Sequence, residues 1–382
     1  MPGIVELENV SFCFEGEDAP VLKNLSFTMR EGSFTILVGP GGSGKSTLCN
    51  LFNGRIPHLI HGRLEGRVLV DGLCTSEAEM KELACRVGYV FQDPESMFAT
   101  LSVEDEIAFG PENLLFEKED IQRTVDELLE LTGIEQYRRN LVWNLSGGQI
   151  QKLGLAAVLA MKPGVIILDE PTANLDPVAT RQVHELILKL REENITVLLV
   201  TRELDDFMAR ADQVLVLDRG SLVAADAPYT LLKEHGELMA SLGIWLPETV
   251  EIGLALAGAG FELERIPITL EETVDLLDSL GLLRPGEVLK APERKAYAAT
   301  EPPLIEGKEL RFCYGEDHYA LKGVSLEIHK GEMLAVVGRN GAGKSTLAKL
   351  LIGLNRCREG KLQLFGRPSS AWKVPDLANH IS

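Results

Sequence analysis

The sequence has no apolar run of the ~18 residues that a membrane-spanning helix requires. Its longest candidate, Leu153 to Leu168, is interrupted by Lys162 and Pro163. Basic residues are scarce: 38 Lys and Arg stand against 57 Asp and Glu, a formal net charge of −19. That deficit argues against a nucleic-acid partner gripped through a basic face. The N-terminus, Met-Pro-Gly-Ile-Val-Glu-Leu-Glu, carries neither a basic segment nor an apolar core, so it does not read as a secretory signal. No two of the six cysteines, Cys13, Cys49, Cys74, Cys85, Cys313 and Cys357, form a C-x-x-C pair. We read them as reduced thiols that mostly fill the core, not as zinc ligands or disulfides. What is present is ordinary globular material: 45% hydrophobic and 25% charged residues over 382 positions, enough for two or three domains.

The chain repeats itself. Phe12-Cys13-Phe14 is echoed by Phe312-Cys313-Tyr314. The glycine-rich run from Gly39 to Thr47 is echoed by Gly338 to Thr346, with Lys45 and Lys344 299 residues apart. The first copy continues well past its glycine loop, whereas the second reaches Ser382 soon after its own. This order predicts one full unit over residues 1–225, a connector over 226–303, and the front of a second unit over 304–382. The connector holds 14 acidic and 6 basic residues. Its middle, Trp245–Leu283, is apolar enough for short helices, and its end, with Pro285, Pro292, Pro302 and Pro303, reads as a flexible boundary; the whole reads either as a solvated tether or as a segment with a specific binding role.

The fold class expected is α/β. Ile4–Val10 and Leu25–Met29 alternate in polarity, as strands of an antiparallel sheet do. Thr35–Val38, Val87–Phe91, Val165–Leu168, Thr196–Val200 and Val214–Leu217 are short apolar runs of the kind buried on both faces of a parallel sheet. Helical patterns cover Lys45–Phe52, Lys118–Leu131, Gly147–Met161 and Pro177–Arg191. Asp176-Pro177 is a good helix start, a capping side chain followed by proline at the first position.

Gly39-x4-Gly44-Lys45-Ser46 is a P-loop between an apolar strand and a helix. Glycines let backbone N–H groups approach phosphate oxygens, and the next helix aims its N-terminus at them. Lys45 is expected at the β- and γ-phosphates of ATP, with the Ser46 hydroxyl on Mg²⁺. Gly39, Gly41, Gly42, Ser43, Gly44 and Thr47 complete the cradle. Gly338, Asn340, Gly341, Gly343, Lys344, Ser345 and Thr346 supply the equivalent set, with Ser345 on the metal. Val165-Ile-Ile-Leu-Asp169-Glu170 is an apolar strand ending in two acids. Asp169 suits a hard cation, held through water, and Glu170 suits a base that polarises the attacking water.

Leu145-Ser146-Gly147-Gly148-Gln149, lying between the P-loop and the Asp-Glu strand, resembles the signature sequence of ABC-type ATPases. That resemblance implies a P-loop NTPase fold with an antiparallel β subdomain, a parallel-sheet core and a helical subdomain. It also implies roles for further residues. Phe14 and Tyr314 would stack on adenine. Gln92 would sense the γ-phosphate and touch Mg²⁺, and Asp176 would lie in the D-loop. The segments Phe91–Phe98 and Ile107–Leu114 are similar to the energy-coupling ATPases of vitamin and metal-ion uptake, and Leu246-Pro-Glu and Leu270-Glu-Glu resemble the connector of their tandem form, which joins two units in one chain. A Gln usual near Met97 in that subfamily is absent. The partners implied are a transmembrane coupling subunit, a substrate-binding membrane subunit and a second ATPase unit, with the chain peripheral on the cytoplasmic face. A groove near Gln92–Val103 would receive the coupling helix. A soluble relative acting on ribosomes or DNA would call for a basic connector, and this one is acidic.

Two departures stand out. The strand Thr196–Val200 would normally be followed by Thr-His, the His contacting the γ-phosphate. Here the run is Thr201-Arg202-Glu203. A guanidinium is permanently charged, longer and donor-only, so ATP binding should survive while hydrolysis is impaired. The alternative is that Arg202 substitutes as a phosphate clamp. Sites in this family are composite, the P-loop of one unit facing the signature of another. The second copy ends before its own signature and Asp-Glu strand, so within 382 residues neither site is complete. A degenerate remnant is the corresponding alternative, and the second copy, Leu304–Ser382, is expected to be poorly folded unless another chain completes it, because its P-loop strand lacks parallel neighbours.

Overall fold

A computed structural model describes residues 3–193, 195–283, 302–314 and 319–381. They divide into two compact units: the larger runs to residue 283 apart from Asp176–Val178, and the smaller takes in those three residues together with the described residues from 302 onward.

In the larger unit, β1 (Val5–Phe14), β2 (Leu22–Met29) and, later, β4 (Gly62–Val70) and β5 (Leu73–Cys74) form an antiparallel sheet in the order β2-β1-β4-β5. The second sheet runs β10-β9-β3-β8-β7-β6. It contains β3 (Phe34–Val38), β6 (Val87–Val90), β7 (Val165–Asp169), β8 (Thr196–Val200), β9 (Gln213–Asp218) and β10 (Ser221–Asp226). All its pairings are parallel except β9 with β10. The apolar runs become strands because both faces are covered: every residue of β3, β6, β7 and β8 is buried. Alternate residues go to opposite sides. Ile36, Ile166, Leu168, Val197 and Leu199 join one core, and Leu37, Val165, Ile167, Leu198 and Val200 join the other. Each such side chain contributes about 1.5–3 kcal/mol by burial.

The helices place the chemistry. α1 (Lys45–Phe52) follows β3, α2 (Arg55–His58) and α3 (Met80–Ala84) are short, and α7 (Pro177–Glu192) precedes β8. A helical layer of α4 (Val103–Asn113), α5 (Lys118–Thr132) and α6 (Gly147–Leu159) has its own core of Val103, Ile107, Leu128, Leu129, Ile150 and Leu153. Glu106, 4% exposed on α4, fastens the preceding loop. Its carboxylate accepts from Ala99 N (3.0 Å), Thr100 N (2.8 Å) and Thr100 Oγ1 (2.8 Å).

The described part of the connector is not a solvated tether. It forms α8 (Pro228–Ser241), α9 (Glu248–Gly258) and α10 (Leu270–Ser279); Leu231, Leu232 and Met239 of α8, Val250 of α9, and Leu246, Ile266 and Ile268 between the helices enter the same core as Phe34 and Ile36. The negative charge lies on their outer faces while apolar residues at helical spacing turn inward. The expected boundary at Pro285 and Pro292 lies outside the described residues. Among the described residues no helix is long and apolar enough to cross a membrane.

The smaller unit holds β11 (Ile305–Cys313), β12 (Tyr319–Ile328), α11 (Lys344–Leu351), β13 (Glu359–Leu364), β14 (Arg367–Pro368) and α12 (Val374–Leu377). The strands form an antiparallel sheet in the order β12-β11-β13-β14 over a small core of Leu310, Leu321, Leu347, Leu350, Leu362 and Leu364. The counterpart of β3 belongs to no sheet among the described residues. Met333–Val337 forms no strand, with Met333 97% and Val337 88% exposed. The front of the unit therefore folds, contrary to the expectation of general disorder, while its P-loop strand stays open. All six cysteines are free, but only Cys13, Cys49 and Cys313 are buried, so half of them, not most, fill cores.

Candidate functional site

The P-loop joins β3 to α1 through backbone that needs glycine. Gly39 has φ 154°, and a Cβ there would lie 2.0 Å from the Leu217 carbonyl oxygen in β9. Gly44 has φ 103°, closed in by Leu22 and the Val21 carbonyl. Gly41 and Gly42 face the opposite situation: a Cβ on either would meet nothing within 4 Å. The loop is thus packed tightly at its two ends and open in its middle, a cradle whose N–H groups can face phosphate. Ser43 is buried, and its carbonyl accepts from Gly220 N (3.0 Å). Ser46 is exposed and Thr47 half-buried at the start of α1.

Lys45 is folded back, its Nζ donating to the Gly39 and Pro40 carbonyls at 2.8 and 3.0 Å. Burial, the largest influence, pushes its ammonium below the ordinary lysine range, against the pull of Glu170 and Asp169. A cation so poorly solvated gains from any anion placed in the cradle. The second P-loop repeats the arrangement, Lys344 Nζ donating to Gly338 and to Arg339 O at 2.6 and 2.8 Å. There Gly338, Asn340 and Gly341 are exposed, and Gly343 (φ 93°) packs on the Ala320 carbonyl. Ser345 is exposed and Thr346 buried. Phe14 is 37% exposed and set edge-on to Phe12, open for stacking. Tyr314 is 65% exposed, but its hydroxyl lies 3.2 Å from Thr346 Oγ1, tying it to the start of α11.

Strands β7 and β8 bring the remaining groups together. They run parallel with Asp169 beside Val200, so the residues following each strand emerge side by side. Glu170 leaves β7 with φ 46°, its N–H still donating to Val200 O at 2.9 Å. Its carboxylate meets Arg202 Nε (3.1 Å) through Oε1 and Gln92 Nε2 (3.4 Å) through Oε2. The acid expected to activate water is therefore held between the residue replacing the switch histidine and the expected γ-phosphate sensor. Asp169 is 6% exposed, and Tyr89 Oη donates to its Oδ2 at 2.9 Å. Burial, then the neighbouring Cys49 and Asp169, push the Tyr89 phenol far above its ordinary range, so it remains a donor. Burial likewise holds Cys49 as a thiol.

The signature segment opens α6. Ser146 N–H donates to Gln149 Oε1 (2.8 Å) in a capping box, with Ser146 and Gly147 exposed and Gly148 partly so. Asp176 Oδ1 accepts from Val178 N (3.0 Å) at the start of α7, as a helix cap does.

No cluster of three or more His, Cys, Asp or Glu able to enclose a metal occurs among the described residues. Mg²⁺ does not require one, since phosphates and waters complete its octahedron around one or two protein oxygens. Ser46 and Asp169 fit that role, with Gln92 held 3.4 Å from the adjoining Glu170, and the open middle of the cradle fits a polyphosphate. Tyr89 was not legible as part of this set. Replacing it with Phe removes a buried hydrogen bond to a carboxylate, worth about 1.5–3 kcal/mol. The expected result is about tenfold weaker ATP binding with Mg²⁺ and unchanged binding without it, read by equilibrium titration.

A P-loop strand and an Asp-Glu strand with one strand between them in a mainly parallel sheet, beside a separate helical layer, define a nucleoside-triphosphate-binding cassette. The sequence profile of the ABC transporter family matches residues 22–173 and 321–382, and the chain belongs to that family. A Methanosarcina mazei protein named as an ABC transporter ATP-binding protein is 35% identical over 99% of this chain and 66% of its own length. A Bacillus subtilis protein named for HMP/thiamine import is 33% identical over 99% of this chain and 66% of its own length. The chain thus spans just under two thirds of these curated relatives. Among solved structures, CbiO1 of Clostridium perfringens, part of the transporter complex CbiONQ, superposes with TM-score 0.55 at 30% identity, covering 65% of this chain and 97% of CbiO1.

Proposed function

We propose that this chain is an ATP-binding, ATP-hydrolysing subunit of an importer of the energy-coupling kind, lying on the cytoplasmic face of the membrane and working through separate membrane subunits. One observation carries the reading: an apolar groove of about 530 Å³ adjoins the loop that follows Gln92. It is lined by Met97, Glu106, Phe109, Gly110, Ala157 and Met161. Phe109 is 43% exposed there, and Glu106 fixes the loop at its edge. The site end of this loop touches Glu170 and the far end shapes the groove, so a change at the γ-phosphate has a short path to a docked helix. The import role of the Bacillus subtilis relative and the CbiONQ membership of CbiO1 support the same reading.

The mechanism follows from the residues. The P-loop N–H groups and Lys45 bind the phosphates. Bound Mg²⁺ would neutralise phosphate charge from Ser46 and Asp169. A second ABC unit supplies the facing signature, and Ser146–Gln149 serve that unit in return. Glu170 orients water only when its oxygens are free, and Arg202 occupies one of them. Attraction of Arg202 for phosphate that is equal in bound ATP and in the transition state does not lower the barrier. Binding with slow turnover is the state these contacts favour.

The test is co-purification with the membrane subunits of an importer of this kind. Wild-type chain should be retained and Phe109→Asp lost, with ATP binding equal in both. Equal retention of the two would contradict the groove as the docking site.

A further inference from the structure

Trp245 stands beside the nucleotide site, although none of the nucleotide motifs contains it. A cavity of about 140 Å³ opens against the P-loop at Gly39, Pro40 and Gly41, and Thr201, Arg202 and Trp245 also line it. Trp245 comes from the turn that joins α8 to α9, and that turn is firmly held. Gly243 (φ 71°) donates from its N–H to Ala240 O at 3.0 Å, and Ile244 N–H donates to Met239 O at 3.1 Å. Such a pair of bonds is the Schellman ending of a helix, with glycine in the left-handed position. Ile244 packs against the core of Phe34 and Ile36, and Leu246 is buried in it. Trp245 lies between these two anchors and is 75% exposed. The turn thus holds a large aromatic side chain in water at the edge of the site, where packing of the core does not call for one. Arg202 reaches the same cavity with donors to spare. Its Nε is engaged by Glu170 Oε1, while its two terminal nitrogens have no partner among the described residues.

We propose that Trp245 is a positioning residue whose indole face is the second seat of the Arg202 guanidinium, taken when Arg202 leaves Glu170. A planar cation is attracted to the face of an aromatic ring, and indole is the best of the aromatic partners. The guanidinium is flat and stacks where an ammonium would not. Its present contact is weak, because the Arg202 side chain is 64% exposed and water competes for it. An exposed guanidinium on an exposed indole is a contact of similar strength. Two seats so nearly matched leave the guanidinium free to exchange, and a bound triphosphate, adding charge beside Gly39–Gly41, can shift the balance. In the second seat Arg202 stays next to the P-loop, and both Glu170 oxygens can accept from water. The slow turnover of the wild-type site then passes through this arrangement. That consequence rests on the reading of Arg202 and Glu170 given above; the seat itself does not.

Proton and nitrogen-15 spectra of the full chain test the seat without nucleotide, the Arg202 side-chain signals being assigned by their loss in Arg202→His. Glu170→Gln removes the charge that holds Arg202. It should move the Arg202 side-chain protons upfield, as the ring current above an indole does, and adding Trp245→Leu should return them to the positions of a solvated arginine. Identical Arg202 signals in these two proteins would overturn the proposal. Turnover is read with Mg²⁺-ATP and an intact second ABC unit. Trp245→Leu keeps the apolar bulk and loses the ring; it should slow single-turnover hydrolysis about threefold at unchanged ATP affinity, and Trp245→Phe should keep most of the rate. In the Arg202→His background the same Trp245→Leu change should have no effect. Equal slowing in both backgrounds would mean that Trp245 acts on the facing unit or on the fold, and would contradict a role through Arg202. Failure of the ATPase reading would instead show as absent ATP binding in every variant, with the spectra still deciding the seat.

Discussion

Gly39→Ala will cost the chain its ATP binding, by about a hundredfold or more, together with about 3 kcal/mol of stability. The reason is local and steric. The new Cβ would stand 2.0 Å from the Leu217 carbonyl and 2.9 Å from Ser43 Oγ. Leu217 is a fully buried residue of β9, which is itself paired in parallel with β3, so the obstacle is backbone that cannot rotate away. The P-loop must move instead, and with it the carbonyls of Gly39 and Pro40 that hold Lys45. Gly41→Ala is the matched control, because its Cβ meets nothing within 4 Å. It should keep the melting temperature of the wild type. Thermal unfolding and equilibrium ATP titration of the two variants check both halves, and equal melting temperatures would refute the packing argument.

Arg202→His will raise single-turnover hydrolysis about tenfold or more when an intact second ABC unit supplies the facing signature, while ATP affinity changes little. Tenfold corresponds to about 1.4 kcal/mol of barrier. Arg202 Nε lies 3.1 Å from Glu170 Oε1, and the Arg202 side chain is 64% exposed while that of Glu170 is only 15% exposed. The exposed guanidinium contributes little stability through such a pair. It does place a permanent donor on the oxygen that must accept from water. An imidazole is shorter and can be neutral, and it offers a donor or an acceptor as the step requires. An unchanged rate would mean that Arg202 serves as a phosphate clamp and that its resting contact with Glu170 is released without cost.

The parts of this architecture legible in sequence were those coded by short-range pattern. The P-loop was legible because glycine spacing and a flanking strand are local, and the parallel strands because burial on both faces leaves short apolar runs such as Ile36–Val38 and Val197–Val200. β4 escaped notice because its outward residues and two glycines break the alternation. α4 escaped because Gly110 and Pro111 read as a terminus, although both lie inside the helix. The connector's charge suggested a tether because composition averages over faces that the fold keeps apart. Site contacts were harder still. Glu170 meets Arg202 because β7 and β8 are neighbours in parallel register, and Tyr89 meets Asp169 because β6 and β7 are. No spacing along the chain encodes either.

The most direct measurement is the identity of the nucleotide held at the Lys45 site. The wild-type chain is mixed with an intact second ABC unit and Mg²⁺-ATP, freed of excess nucleotide, incubated, then denatured and its nucleotide separated. A site that binds well but turns over slowly, because Arg202 occupies Glu170, releases mainly ATP from the wild type and mainly ADP from Arg202→His. Mainly ADP from both, formed at the same rate, would contradict the account.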